Sequence, residues 1–160
     1  MRLWHYKTIS FLPEAQLLGQ WRECCAIAQE WATDESKVFK HPFTRPLLDY
    51  PYEDFVVYVK LVMNEMVNRG YNVQQYTVAR LFDNLFKIGR LSTVKKPEII
   101  RKEINAIWEL PDFSDICIFD KWHNNTYLEI NYWNLYEKYL SGCVPDEEWN
   151  RYLEGGREFV

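Results

Sequence analysis

The sequence contains no long hydrophobic run. None of its apolar stretches approaches the roughly 20 residues that a membrane-spanning helix needs. The amino terminus also lacks the charged, then apolar, then small-residue order of a secretory signal. We therefore expect a cytoplasmic protein that has no contact with a membrane.

Paired cysteines with metal-ligand spacing are also missing. The four cysteines are Cys24, Cys25, Cys117 and Cys143, and no CxxC motif occurs among them. We interpret them as reduced thiols in the core rather than as a metal or redox site. No metal and no other cofactor is expected.

The sequence also has no excess of positive charge. The net charge is −4 and the isoelectric point is near 5.4, whereas nonspecific nucleic-acid binding depends on basic side chains that displace phosphate counterions. A general nucleic-acid binder is therefore disfavoured. One segment is nevertheless rich in basic residues, namely Arg80, Lys87, Arg90, Lys95, Lys96, Arg101 and Lys102. These residues either contact phosphate or form a solvated helical face, and the sequence favours neither.

Hydrophobic residues recur at helical spacing along most of the chain. With 48% hydrophobic and 17% aromatic residues, 160 residues suffice for the core of one domain. The predicted fold is all-α, a single compact helical domain of about five to six helices spanning residues 1–160. The first helix begins at Pro13 and Glu14; the others run from about Pro51 to Gly70, from Val78 to Gly89, from Pro97 to before Pro111, from Thr126 to Gly142, and from Pro145.

The first predicted helix has one face with little apolar surface. Gln16, Gly19, Gln20 and Glu23 fall on or near that face. A glycine inside a helix costs about 1 kcal/mol relative to alanine, so Gly19 indicates that another group comes close. Either Gly19 leaves space beside the Glu23 carboxylate, or it admits a neighbouring helix.

Three segments of the chain resemble a known enzyme family. They are MRLWHYKTISFLPEAQLLGQWRECC at the start, LVMNEMVNRGYNV at residues 61–73, and NLYEKYLSG followed by PDEEW further on. These segments are similar to the pyrimidine-dimer DNA glycosylases of the phage endonuclease V type, in particular to an uncharacterised bacterial and phage branch. Residues 74–121 have no clear counterpart, so we interpret them as a helical insertion that contains the basic segment.

The resemblance implies a set of catalytic residues. In this family the α-amine of the amino terminus is the nucleophile, and a glutamate preceded by arginine performs the proton chemistry. Arg22 and Glu23 match that pair. Characterised members expose a threonine by losing the initiator methionine, but Arg2 blocks that removal here and makes Met1 the expected nucleophile. The family's DNA-contacting histidine and arginine are replaced by Gln16 and Ala26.

The implied function is a DNA repair glycosylase with AP-lyase activity on damaged or modified pyrimidines in duplex DNA. The expected DNA contacts are Arg2, His5, Lys7, Gln16, Lys87, Arg90, Lys95, Lys96, Arg101 and Lys102. Trp4 either belongs to the core, as is more usual, or fills the gap left by an extruded base. The alternative is a catalytically silent relative that binds nucleic acid or a protein partner, such as a phage counter-defence factor.

Overall fold

The computed structural model describes residues 3–34, 40–91 and 116–156, with only the backbone for residues 90 and 91. These ranges contain helices and no strand, which confirms the all-α prediction. The helices are α1 (Glu14–Thr33), α2 (Tyr52–Asn68), α3 (Gln75–Leu91), α4 (Asn125–Leu140) and α5 (Asp146–Gly156), with 3₁₀ helices at Tyr6–Phe11 and Arg45–Asp49. The helix predicted between Pro97 and Pro111 lies outside the described residues. Within the part described, no helix is long and apolar enough to cross a membrane.

Glycine ends α2 as the sequence predicts. Gly70 has a φ of +74°, a conformation that strains any residue with a Cβ atom. Its N–H donates to the Val67 carbonyl at 2.9 Å, and the N–H of Tyr71 donates to the Met66 carbonyl at 3.0 Å. This pair of bonds is the Schellman motif, which satisfies carbonyls that the helix leaves without a partner. Gly142, with a φ of +81°, ends α4 in the same way.

The prediction that Gly89 ends a helix is wrong. The helix α3 continues through Gly89 to Leu91. Leu81, Leu85 and Ile88 are almost fully buried, and α3 packs against α1. Burial of this apolar face outweighs the weak helix propensity of one glycine. The start of the segment that we interpret as an insertion is therefore part of the core.

The four cysteines have different environments. Cys24 is fully buried and Cys25 is half-buried, but Cys117 and Cys143 are exposed, so the interpretation as core thiols is wrong for the last two. Burial raises the pKa of Cys24 well above its usual range and that of Cys25 to about 11. Both of these thiols are protonated at neutral pH.

The start of α1 is fixed by side chains of α5. Near α1, the Glu14 N–H donates to the Glu148 carboxylate of α5 at 2.8 Å, and Arg151 donates to the Leu12 carbonyl at 3.2 Å. The carboxylate satisfies one of the backbone N–H groups that the first turn of a helix leaves open. The helix α5 therefore holds the start of α1 in place.

The backbone of residues 3–6 is held by side chains from three other parts of the fold. From α1, Gln20 accepts the Trp4 N–H at 2.8 Å through its Oε1 atom. From α2, the Tyr58 hydroxyl donates to the Trp4 carbonyl at 2.7 Å. From α4, Asn131 Oδ1 accepts the His5 N–H at 2.9 Å. We call this set of hydrogen bonds the amino-terminal clamp.

Two further side chains complete the amino-terminal clamp. The Tyr127 hydroxyl of α4 donates to the Leu3 carbonyl, and Nδ1 of His123 accepts the Tyr6 N–H at 3.0 Å. Tyr58 and Asn131 are fully buried. A buried polar group that loses its hydrogen-bond partner destabilises the fold by about 1–3 kcal/mol. The clamp therefore favours one position for this segment.

His5 and His123 form a buried pair beside the clamp. Nε2 of His5 donates to the His123 carbonyl at 2.8 Å, and Nδ1 of His5 accepts the Lys7 N–H at 3.2 Å. Burial is the main cause that lowers the pKa of His5 to about 4. Burial, together with the nearby His5, lowers the pKa of His123 to about 2. Both imidazoles are thus neutral at pH 7, which argues against the predicted phosphate contact of His5.

We predict that this histidine pair makes the fold sensitive to mild acid. The pKa of each imidazole is lower in the folded protein than its unfolded value near 6.5. The stability from the neutral rings is therefore complete above pH 6.5 and declines below it, by about 1.4 kcal/mol per pH unit for each ring. Urea unfolding of wild type at pH 7 and at pH 5 should show this loss.

Two variants distinguish the pair from general acid effects. His123→Gln should reduce the dependence of unfolding free energy on pH between 7 and 5. His41→Gln, which alters the remaining histidine of the sequence, should leave that dependence as in wild type. A His123→Gln protein with the wild-type dependence on pH would contradict the assignment.

Candidate active site

A cleft of about 350 Å³ lies against one face of α1. Side chains from α1, from the chain before it, from the segment between α1 and α2, and from α4 line this cleft. They are Trp4, Gln16, Gly19, Gln20, Glu23, His41, Phe43 and Lys138. Its volume lies within the range of small-molecule binding sites.

The polar face of α1 forms one wall of the cleft. Gln16, Gly19, Gln20 and Glu23 all line it, as their helical spacing predicts. A Cβ atom added to Gly19 would meet no heavy atom of the described residues within 4 Å. The space beside Glu23 is therefore open, and the alternative of a closely packed neighbouring helix is not observed there.

Gln20 connects the cleft to the amino-terminal clamp. Its Oε1 atom accepts two hydrogen bonds, from the Trp4 N–H at 2.8 Å and from the Tyr58 hydroxyl at 2.9 Å. Burial raises the pKa of Tyr58 well above its usual range, and the nearby charge of Glu23 adds to this effect. Tyr58 therefore keeps its proton and remains a donor. Gln20, which lies one helical turn before Glu23 on α1, thus fixes the position of Trp4.

Gln16 presents an unsatisfied acceptor. Its Oε1 atom is buried and has no hydrogen-bond partner among the described residues. Buried polar atoms of this kind usually have a partner in the protein, an ordered water or a ligand. Because Gln16 lines the cleft, a ligand with an N–H or O–H donor would satisfy this atom.

Three residues of the cleft were not identified as site residues from the sequence. His41 and Phe43 come from the segment after α1, and Lys138 comes from the last turn of α4. Phe43 is 48% exposed. Lys138 is separated by more than 100 residues from Glu23 along the chain, and no spacing rule connects positions so far apart. The only sequence signal near Lys138 is that its segment, NLYEKYLSG, resembles the glycosylase family.

The other predicted site residues are distributed more widely. Arg22 and Lys7 are exposed, whereas Trp4 is 6% exposed and belongs to the core. Lys87 lies on α3, where it pairs with Asp83 at 3.0 Å. Predictions on Met1, Arg2, Lys95, Lys96, Arg101, Lys102 and the side chain of Arg90 fall outside the described residues. Among the residues that the structure describes, no group of three or more His, Cys, Asp or Glu side chains is placed to hold a metal ion.

Comparison with known protein families gives a match at the start of the chain. The sequence pattern of the pyrimidine dimer DNA glycosylases matches residues 1–77. Neither the curated proteins nor the solved structures contain a significant match to the chain. The matched part includes α1, α2, Arg22 and Glu23, and it ends just inside α3. Through these residues the chain is similar to the pyrimidine dimer DNA glycosylases, a family of DNA repair enzymes.

Proposed function

We propose that this protein is a DNA glycosylase with AP-lyase activity on damaged or modified pyrimidines in duplex DNA. The α-amine of Met1 is the nucleophile and Glu23 is the acid and base. One observation carries the proposal beyond the family match. The amino-terminal clamp fixes Trp4 against α1, one turn from Glu23, at the wall of an open cleft.

Chain length limits where the nucleophile lies. Two residues separate the Met1 nitrogen from the Leu3 nitrogen, and two extended residues span at most about 7 Å. Leu3 and Trp4 are held by the clamp, and Trp4 lines the cleft. The proposed mechanism requires the amine to come, within this reach of Leu3, as close to Glu23 as one bridging water allows.

An α-amine suits the first chemical step. Its ordinary pKa near 8, against about 10.4 for lysine, leaves on the order of a tenth of it neutral at pH 7. The neutral amine attacks the sugar C1′, the bond from C1′ to the base breaks, and the base leaves with the electron pair. Loss of the amine proton and opening of the ring give an imine.

Glu23 serves the second step. Its carboxylate stabilises the positively charged sugar and removes the C2′ proton, after which the C3′–O bond breaks and the 3′ phosphate leaves. Water then hydrolyses the imine and restores the amine. Arg22, Arg2 and Lys7 hold the neighbouring phosphates, and Lys138 adds a cation on the side of the cleft formed by α4.

The catalytically silent relative remains the second candidate. Gln16 and Ala26 stand where the family has the histidine and arginine used on DNA, and the net charge of −4 is unusual for a DNA-binding protein. These features favour a binding protein, so the test below is chosen to separate the two functions.

We predict that borohydride traps a covalent adduct between the protein and damaged duplex DNA. Reduction converts the imine to a stable amine, and peptide mass spectrometry should locate the adduct at Met1. Acetylation of the terminal amine should abolish it, because an amide nitrogen is not nucleophilic. Since exposed amines also react with abasic sites adventitiously, the substrate should contain ultraviolet photoproducts.

Base release gives the deciding comparison. Glu23→Gln should release base from the photoproduct duplex at least 100-fold more slowly than wild type, on the scale of losing a general acid–base group. Glu30→Gln, on the same helix, is the matched control and should retain activity. Equal rates for wild type and Glu23→Gln, or no release by wild type, would favour the silent relative.

We also predict that Gly19→Ala raises the stability of the protein but lowers its activity. The added methyl group meets open space and removes the helix penalty of glycine, so unfolding free energy should rise by about 0.5–1 kcal/mol. The methyl group lies in the cleft beside Glu23 and should lower base release by about tenfold through misplacement of the sugar. Gly156→Ala, which also meets open space, should leave base release unchanged. A Gly19→Ala enzyme with full activity would show that the substrate does not use this space.

A further inference from the structure

The outer face of α4 exposes three large apolar side chains. Ile130, Trp133 and Leu140 are 49%, 53% and 66% exposed. At 3.6 residues per turn they fall within an arc of about 80° on the helix, whereas Leu135, on the opposite side, is fully buried. Single exposed apolar residues are ordinary, but three on one side of a helix form a patch. We call these three residues the α4 patch.

The indole ring of the α4 patch is held in place by its neighbours. The centroid of the Trp133 ring lies 5.2 Å from that of Tyr132 and 5.9 Å from that of Tyr136. Both tyrosine rings in turn pack against the buried Trp149 of α5, at 5.6 and 5.7 Å. The exposed indole is therefore positioned before a partner arrives, which reduces the entropy lost on binding.

A groove of about 450 Å³ continues the α4 patch where α4 ends. It is lined by Tyr139, Leu140, Gly142, Val144, Pro145 and Asp146. The Tyr139 hydroxyl donates to the Asp146 carboxylate, a hydrogen bond that raises the pKa of Tyr139 and connects α4 to the start of α5. Because Leu140 belongs to both the groove and the patch, an apolar partner can contact both at once.

The charges that border the α4 patch are negative. Glu129 lies one helical turn before Trp133 and Glu137 lies one turn after it. Both glutamates are exposed, and neither forms a salt bridge with the residues that the structure describes. The only basic residue of α4 is Lys138, which lines the cleft on another side of the helix. The surface is thus apolar at its centre and acidic at its border.

Charge decides which kind of partner fits this surface. The two carboxylates would repel the phosphates of a nucleic acid and the head groups of an anionic membrane. A second copy of the chain would place Glu129 and Glu137 of both copies in one interface, where like charges oppose association. A partner that carries lysine or arginine beside large apolar side chains would be attracted by both parts of the surface.

The spacing of the α4 patch suits a partner helix. Ile130, Trp133 and Leu140 occupy three successive types of seam position in a heptad pattern, and Glu137 occupies the position between the last two. The face from Ile130 to Leu140 is about 15 Å long, which matches about three turns of a helix lying alongside. A contact of this size is typical of weak, transient complexes.

We propose that the outer face of α4 docks a cationic amphipathic helix of a protein partner. The apolar side chains of this helix seat on the α4 patch and enter the adjacent groove, and its lysine or arginine side chains pair with Glu129 and Glu137. The groove and the cleft share no lining residue. The inference therefore goes beyond the proposed function and does not depend on it.

A designed peptide serves as the probe for this surface. It is a fluorescein-labelled helix of about five turns, with leucine at heptad positions a and d and lysine at the flanking positions. The references are a peptide with glutamate in place of every lysine and a scrambled leucine–lysine peptide. Fluorescence anisotropy should show that the probe binds at least tenfold more tightly than either reference, because only the probe matches both the charge and the apolar stripe.

Replacing the central indole tests the apolar contact. Trp133→Gln should weaken binding of the probe by about tenfold, as expected for a central aromatic residue of an interface. Tyr76→Gln is the matched control, because Tyr76 is an aromatic residue of α3 that is 72% exposed, and it should bind the probe as wild type does. Thermal melting verifies the fold of each variant. Trp133→Gln should release base at the wild-type rate, since Trp133 does not line the cleft.

Replacing one border carboxylate tests the charge contact. Glu137→Gln should weaken binding of the probe by about threefold and make it less dependent on salt, because one exposed charge pair is lost. Glu14→Gln changes an exposed glutamate at the start of α1 and should leave both the affinity and its salt dependence as in wild type.

Two results of the binding assay would overturn the docking surface, whether or not the protein releases base from damaged DNA. One is equal binding of the probe and its glutamate counterpart, and the other is wild-type affinity in Trp133→Gln. Light scattering of the protein alone tests for a second copy as the occupant. We expect a monomer; a dimer that dissociates in Trp133→Gln would show that another copy covers this face and would also overturn the proposal.

Discussion

Hydrogen bonds to the backbone of residues 3–6 are the constraint on which the site depends. A chain terminus is ordinarily the part of a domain with the greatest freedom, and a reactive group there would lose much of its rate to misorientation. Here Gln20, Tyr58, Asn131 and His123 bond that backbone from the interior. These bonds therefore favour one position for the backbone of residues 3–6.

The clamp also explains why polar side chains are buried in the core. Tyr58 and Asn131 are fully buried, and each satisfies a backbone atom that would otherwise be unpaired. Gln20 has a second role, because it joins the clamp to the wall of the cleft that contains Glu23. Fold stability and the position of Trp4 at the cleft therefore rest on the same bonds, and a change in one of them affects both.

Local patterns allowed much of the fold to be predicted. The ends of α2 and α4 follow from Gly70 and Gly142, and helical spacing alone places Glu23 on the polar face of α1. The clamp partners could not be predicted, since Asn131 and His5 are 126 residues apart and no periodicity relates them. The exposed ring of Phe43 in the cleft was also missed, although Phe43 lies close to α1 in sequence, because it belongs to a turn and helical spacing does not predict the direction of its side chain.

The central claim is that the terminal amine lies beside the Glu23 carboxylate. Its most direct measurement is an NMR titration of the α-amine after ¹³C-methylation, in wild type and in Glu23→Gln, with Glu30→Gln as control. A nearby carboxylate favours the protonated amine. The amine should therefore titrate at a higher pH in wild type and Glu30→Gln than in Glu23→Gln. The same titration midpoint in all three proteins would contradict the claim.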